Sequence, residues 1–411
     1  MRPAFHFTAE SGWVNDPHGI TVRDDGYHVF FQYVPGRTTW APNCHWGHAV
    51  GADLLSLAER PVAIAPGEGD DGIWTGSLVR DDAGEARVFY TSTVQPDIGM
   101  GRVRVATPTD EDWVGWSKGP VVAEAPADLD LIAYRDPFVV RDADAWRMFV
   151  GAGASDGTAM ALAYRSDDLT DWTYEGVALS RSTTERDPVW LGALWECPQV
   201  AEVDGTHVMV SSVWDDDVLH HAGYALGSYA TGHFDAKTFG RLTHGPSYYA
   251  PSFFRDAAGR PCLLFWMRGV EDAEAGWASA HSVPYVLGVE GDRLVASPHP
   301  DVERYRQAPV ADGVVPGLAA DVLWSPREGA PLAVSSAGET MLELRLSGGR
   351  LEARVGDEVW HLPCDGEEVR VILDAQVAEI SCAGGLLGLV AAPAGAALAI
   401  DGADVVHPLA R

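Results

Sequence analysis

Five proline- or glycine-marked segments constrain this chain more than any other feature. Asn15-Asp16-Pro17, Trp74-Thr75-Gly76-Ser77, Arg135-Asp136-Pro137, Glu196-Cys197-Pro198 and Tyr249-Ala250-Pro251-Ser252 recur about every sixty residues. A second series, at 52–57, 112–116 and 168–172, keeps about the same period. Helical periodicity is scarce. Short alternating or β-branched runs (27–33, 87–93, 102–107, 138–140, 147–150, 207–213, 262–266) are separated by Asp/Gly turns at 24–26, 81–84, 204–205 and 256–259. These read as antiparallel strands joined by tight loops. A repeat of four strands near this length is a propeller blade, and five blades take about 300 residues. The expected fold is therefore all-β: a five-bladed β-propeller over residues 1–303, followed by a small C-terminal β-sandwich over 304–411. In that last region the blade repeat stops and alternation takes over, as in 341–346 and 369–373.

The first strand of each blade lines the central channel, and all five begin at the same end. Proline is tolerated at a strand's first residue, where no ladder bond is lost. The residues beside those prolines should then converge on one funnel, and three of them are carboxylates: Asp16, Asp136 and Glu196. Acetal cleavage needs such acids, one to protonate the leaving oxygen and another to attack or direct water. The 15 Trp residues supply aromatic faces for sugars. Trp13, Trp40 and Trp74 lie near the funnel motifs, whereas Trp113, Trp116 and Trp172 fall in the second repeated series and read as packing.

Charge narrows the partners. Lys and Arg total 29 against 59 Asp and Glu, for a net charge of -30. Such a surface argues against nucleic acid, whose phosphates require clustered cations, and against anionic membranes. The segment 380–400 is uncharged and long enough to span a bilayer. Its Gly384-Gly385 and Pro393-Ala394-Gly395 breaks predict two buried strands around a turn instead. The opening residues 1–7 carry no apolar core of a signal peptide, so a cytoplasmic location is expected. The five cysteines (44, 197, 262, 364, 382) lack paired spacing and are expected as reduced thiols. His45 and His48 fall on opposite faces of a strand, and neither they nor His220 and His221 have a Cys or carboxylate at ligand spacing. No metal and no cofactor are expected.

These motifs resemble those of glycoside hydrolase family 32, the invertases, levanases and inulinases. The stretch 6–19 (His-Phe-Thr-Ala-Glu-Ser-Gly-Trp-Val-Asn-Asp-Pro-His-Gly) is similar to that family's opening motif, Arg135-Asp136-Pro137 to its Arg-Asp-Pro motif and Glu196-Cys197 to its Glu-Cys motif. Phe31-Gln32-Tyr33, 45–49 and 74–77 fall between them in the right order, and Trp266-Met267 and 276–278 follow. The resemblance covers about 5–310, with an echo at 374–380. It implies a propeller plus sandwich, with Asp16 as nucleophile, Glu196 as general acid/base and Asp136 as the acid that grips sugar hydroxyls. It also implies that Asn15, Gln32, Trp40, Trp74, Ser77 and Arg135 shape the sugar pocket. Arg135 is expected to keep Asp136 ionised. Cys197 reads as a packing residue rather than a thiol nucleophile.

The activity implied is release of terminal β-D-fructofuranosyl units from sucrose or short fructans through a covalent fructosyl-enzyme. Too few cations stand near the motifs for a phosphorylated sugar. A fructosyltransferase with the same site, an arabinan-active five-bladed relative and a non-catalytic sugar-binding propeller are the alternatives. Three departures bear on detail: His18 stands for the family's usual Asn, Val34 for Asn and Leu57 for Trp. The C-terminal region is shorter than the family's usual sandwich, so missing strands are expected there.

Overall fold

The computed structural model describes every residue except Asp144. The regular structure of the described residues is β-strand, apart from one 3-10 turn at Pro300–Tyr305. No helix is long and apolar enough to cross a membrane. The predicted runs all lie in strands: 27–33 in Gly26–Val34, 207–213 in Thr206–Asp215, 262–266 in Pro261–Asp272.

Three antiparallel sheets are four-stranded meanders with sequential strand order, beginning at Gly72–Arg80, Leu131–Asp142 and Leu194–Val203. The strands before and after them share a nine-stranded sheet. Its two halves start with Gly12–Arg23 and Tyr248–Arg255 and are joined by parallel pairing of Gly12 with Trp277 and Trp13 with Ala278. The first strands of these five groups touch one another in turn, and the last touches the first. The N-terminal segment is thereby hydrogen-bonded to the end of the repeat, with His281 N–H donating to Phe7 O as well.

The prolines do not sit where the sequence reading put them. Pro17, Pro137, Pro198 and Pro251 lie inside their strands, each at a break in the pairing register: Val14/Pro17, Phe149/Gly151, Glu196/Gln199 and Tyr249/Ser252. The glycine-marked strand breaks register at Trp74/Gly76. A β-bulge leaves one residue unpaired and turns the strand, and proline fits there because it has no N–H to lose. Asp136, Cys197 and Ala250, each just before its proline, adopt φ values of 65°, 50° and 45°. Non-glycine residues take this left-handed conformation at a cost, which bulges beside functional sites commonly bear. One glycine lets neighbouring bulges approach: a Cβ on Gly151 would lie 2.2 Å from Trp195 O and 3.2 Å from Arg135 O.

The C-terminal region forms two six-stranded sheets around one apolar core that includes Trp324, Leu344, Val371 and Ile380. The uncharged stretch 380–400 contributes Val377–Cys382, Gly385–Val390 and Leu398–Asp401. One sheet borrows Thr243–His244 as an edge strand, parallel to Gly385–Val390. At the junction with the repeat, buried His6 lies between two carboxylates, Nδ1 at 2.8 Å from Asp374 and Nε2 at 2.5 Å from Glu379. Glu379 also accepts from Tyr285 Oη (2.8 Å), Tyr248 Oη (2.5 Å) and Val283 N (2.8 Å). Burial opposes a charged imidazole, but the two acids outweigh it and hold His6 at about 9.

Candidate active site

The bulges of the first strands point into one pocket of about 690 Å³. Asp16, Asn15, Gln32, Trp40, Trp74, Arg135 and Glu196 all line it. Asp136 lies just beneath, tied to Glu196's strand through Cys197, whose backbone N–H donates to Asp136 Oδ2 at 3.1 Å.

Asp16 is held by three donors. Asn15 Nδ2 reaches Oδ1 at 3.0 Å; Thr75 Oγ1 and Gln32 Nε2 reach Oδ2 at 2.6 and 3.1 Å. Trp13 Nε1 in turn donates to Asn15 Oδ1 at 3.1 Å, which orients the amide. Burial raises the Asp16 pKa and the charge of Glu196 adds to it, while the bonds from Thr75 and Asn15 pull it back.

Glu196 is gripped on both oxygens. Arg135 Nε and Nη2 each lie 2.9 Å from Oε1, and Tyr249 Oη donates to Oε2 at 2.5 Å. Arg135 thus hydrogen-bonds Glu196, and its charge still favours the ionised form of Asp136, as expected, without prevailing. Burial, followed by the charge of Glu196, outweighs Arg135 and pushes Asp136 up to about 8. Arg135 is the one cation hydrogen-bonded to these carboxyls, Arg268 acts on Glu196 through its charge, and Asp136 at about 8 retains a proton near neutrality.

Cys197 does more than pack. It is buried, with its sulfur 3.6 Å from Asp136 Oδ2 and 3.8 Å from Asp16 Oδ2. Burial and the surrounding acids raise its pKa well above the ordinary thiol range, so it stays an S–H donor and not a nucleophile.

Ser77 is not in the pocket. Its Oγ accepts from Val139 N at 2.9 Å, and it lines a separate small inner cavity with His18 and Gln199. Thr75, which the sequence reading passed over, takes the place beside Asp16. The register break at Trp74/Gly76 makes Thr75 the residue turned inward. Tyr249 and Trp266 were also missed as site residues, although both stood in motifs noted above; Trp266 packs edge-on against Trp13 and Tyr249. His18 stacks on Trp46 with ring centres 4.0 Å apart and has no hydrogen-bond partner among the described residues. Burial drives its pKa well below the ordinary value, which disfavours a charge at this position. Trp40 is 42% exposed at the rim, edge-on to Trp74.

Comparison with known proteins bears on the same residues. The family described as "Glycosyl hydrolases family 32 N-terminal domain" matches residues 6–298. A sucrose-6-phosphate hydrolase from Escherichia coli is 35% identical over 217 residues, covering 51% of this chain and 43% of that protein. One from Zymomonas mobilis is 30% identical over 337 residues, covering 76% and 65%. The chain thus spans about half to two thirds of the length of these relatives. Among solved structures, a Bombyx mori GH32 beta-fructofuranosidase superposes with a TM-score of 0.86 at 23% identity, covering 100% of this chain and 94% of that one.

Proposed function

Because the chain belongs to glycoside hydrolase family 32, we propose that it is a retaining β-fructofuranosidase that releases terminal fructose from sucrose or short fructans. The observation that carries this reading is the convergence of Asp16 and Glu196 on one pocket, with Asp136 tied to both through Cys197, the three coming from three separate sheets.

In this mechanism Asp16, ionised and aimed by Asn15, Gln32 and Thr75, attacks the anomeric carbon. Glu196 delivers a proton to the glycosidic oxygen as that bond breaks, leaving fructose esterified to Asp16. Glu196 then takes a proton from water, which displaces Asp16. The proton retained by the acid set is the one delivered. When sugar hydroxyls occupy Asp136, that proton passes to Glu196, and the Asp136 charge then faces the positive ring of the transition state.

The substrate in this reading carries no phosphate. Arg135 is the one cationic side chain lining the pocket among the described residues, and it is engaged by Glu196, while Asp217 adds negative charge at the rim. The curated relatives named for sucrose 6-phosphate therefore share the chemistry with this chain, not the leaving group.

Five first strands that touch in a closed cycle support a five-bladed propeller over 1–303, and the shared core of the two six-stranded sheets supports a sandwich over 304–411.

The test is incubation with sucrose, sucrose 6-phosphate, inulin, levan and arabinan, followed by chromatography. Free fructose from sucrose, with sucrose 6-phosphate cleaved far more slowly, is expected. Arabinose release or no product would sink the proposal. With methanol present, methyl β-fructoside should form, and the α-anomer would rule out double displacement. Glu196→Gln should lose ~10²–10⁴-fold on sucrose and much less on a substrate with an acidic leaving group.

A further inference from the structure

We propose that Cys364, Glu367 and Cys382 form a binding site for a thiophilic divalent cation of the zinc class, clamping together the two sheets of the C-terminal region. Cys364 directly follows Glu358–Pro363, the edge strand of one sheet, and Cys382 ends Val377–Cys382 in the other. Glu367 lies on the connection that crosses between the sheets. The two sulfurs and a carboxylate oxygen of Glu367 all lie within 4.8 Å of one another. The thiols contact each other, and both reach the Glu367 carboxylate.

The backbone is shaped to bring them there. Cys382 Sγ lies 3.3 Å from Pro363 O, and a Cβ on Gly384 would stand 1.8 Å from that same oxygen. Only glycine permits this approach of the 382–384 turn to the end of the edge strand. Glu367 is fixed from behind, its Oε2 accepting from Asp365 N at 2.7 Å.

A second cluster of ligand-type residues shows what a satisfied counterpart looks like. Asp256, Cys262 and His299 lie equally close together. There Arg260 already supplies the cation, with Nε 2.6 Å from Asp256 and Nη2 3.2 Å from His299. Glu367 has no Arg or Lys ion-pair partner among the described residues. Two thiols and a carboxylate converging without a cation match a soft tetrahedral donor set, with Zn–S near ~2.3 Å and water in the fourth position. On binding, both thiols lose their protons to solvent, and the divalent ion is left with three anionic ligands. The spacing Cys-x2-Glu-x14-Cys matches no familiar zinc pattern, so only the meeting of the two sheets reveals the site.

The experiment uses the full chain, reduced and stripped of metal, titrated with Co²⁺ and then with Zn²⁺. One equivalent should bind, with a thiolate-to-cobalt charge-transfer band that Zn²⁺ abolishes, and Zn²⁺ should raise the melting temperature. Cys364→Ser combined with Cys382→Ser should abolish the band, while the milder Glu367→Gln, at a partly exposed position, should weaken binding at least tenfold. Turnover should be the same with and without metal, because none of the three residues lines the pocket. No thiolate band at micromolar Co²⁺ would overturn the proposal. So would a band that survives in the double variant, which still carries Cys44, Cys197 and Cys262, or a 364–382 disulfide that forms as readily with Zn²⁺ bound.

Discussion

Two carboxylate clusters in this protein are balanced differently. At the junction between the repeat and the C-terminal sheets, Asp374 and Glu379 enclose His6, and further hydrogen bonds from Tyr248, Tyr285 and backbone N–H groups complete their shells. In the candidate active site, Arg135 pairs with Glu196, Asp16 is held by uncharged donors, and Asp136 is pushed up to about 8. The junction holds its imidazolium between two acids; in the candidate active site burial and the surrounding acids leave Asp136 protonated near neutrality. Acid count alone does not separate structure from chemistry. The match between acids and cations does.

The sharpest way to break this comparison is to change one acid in each place. Asp16→Asn should lower kcat by ~10⁴-fold or more, as loss of a nucleophile does elsewhere, while the melting temperature stays within a few degrees. A variant that unfolds would make Asp16 a structural residue and erase the distinction. His6→Gln should do the reverse. Removing one member of a buried ion pair costs about 3–5 kcal/mol, read as a lower denaturation midpoint, with kcat per folded molecule unchanged.

Smaller effects come from pH. His6 is raised from 6.5 to about 9. A raised histidine contributes stability that is complete below its unfolded pKa and lost as pH climbs through the folded value. Denaturation midpoints should therefore fall between about pH 6.5 and 9, on the order of 3 kcal/mol in all, and His6→Gln should flatten that slope. In the pocket, kcat/KM should fall as pH rises through about 8, where the acid set loses its last proton. Asp136→Asn removes a neighbouring negative charge, so its basic limb should move to lower pH. A limb that stays in place would show that Asp136 does not set it.

Most of the pocket was legible because bulges and prolines are local. Asp16, Asp136 and Glu196 stood beside prolines at a regular period, and a first strand lining a channel brings such positions together whatever the surrounding packing. Ser77 failed and Thr75 was missed for one reason: a single unpaired residue at Trp74/Gly76 turns the chain. The net state of Asp136 was not legible, because burial and the charge of Glu196 outweigh the neighbouring Arg135. Asp136 is next in the chain, yet the left-handed bend at that residue directs the guanidinium to Glu196, 61 positions away.

The amino-acid sequence by itself determined the repeat, the all-β class and the three acids, since period, alternation and proline placement are properties of the chain. The tertiary structure decided which charges meet. His6 finds Asp374 and Glu379 across 368 and 373 positions, Tyr249 finds Glu196 across 53, and Cys364 finds Cys382 across the two sheets. Burial and the Coulomb energy between groups depend on distance in space, and only the packing of the sheets sets those distances.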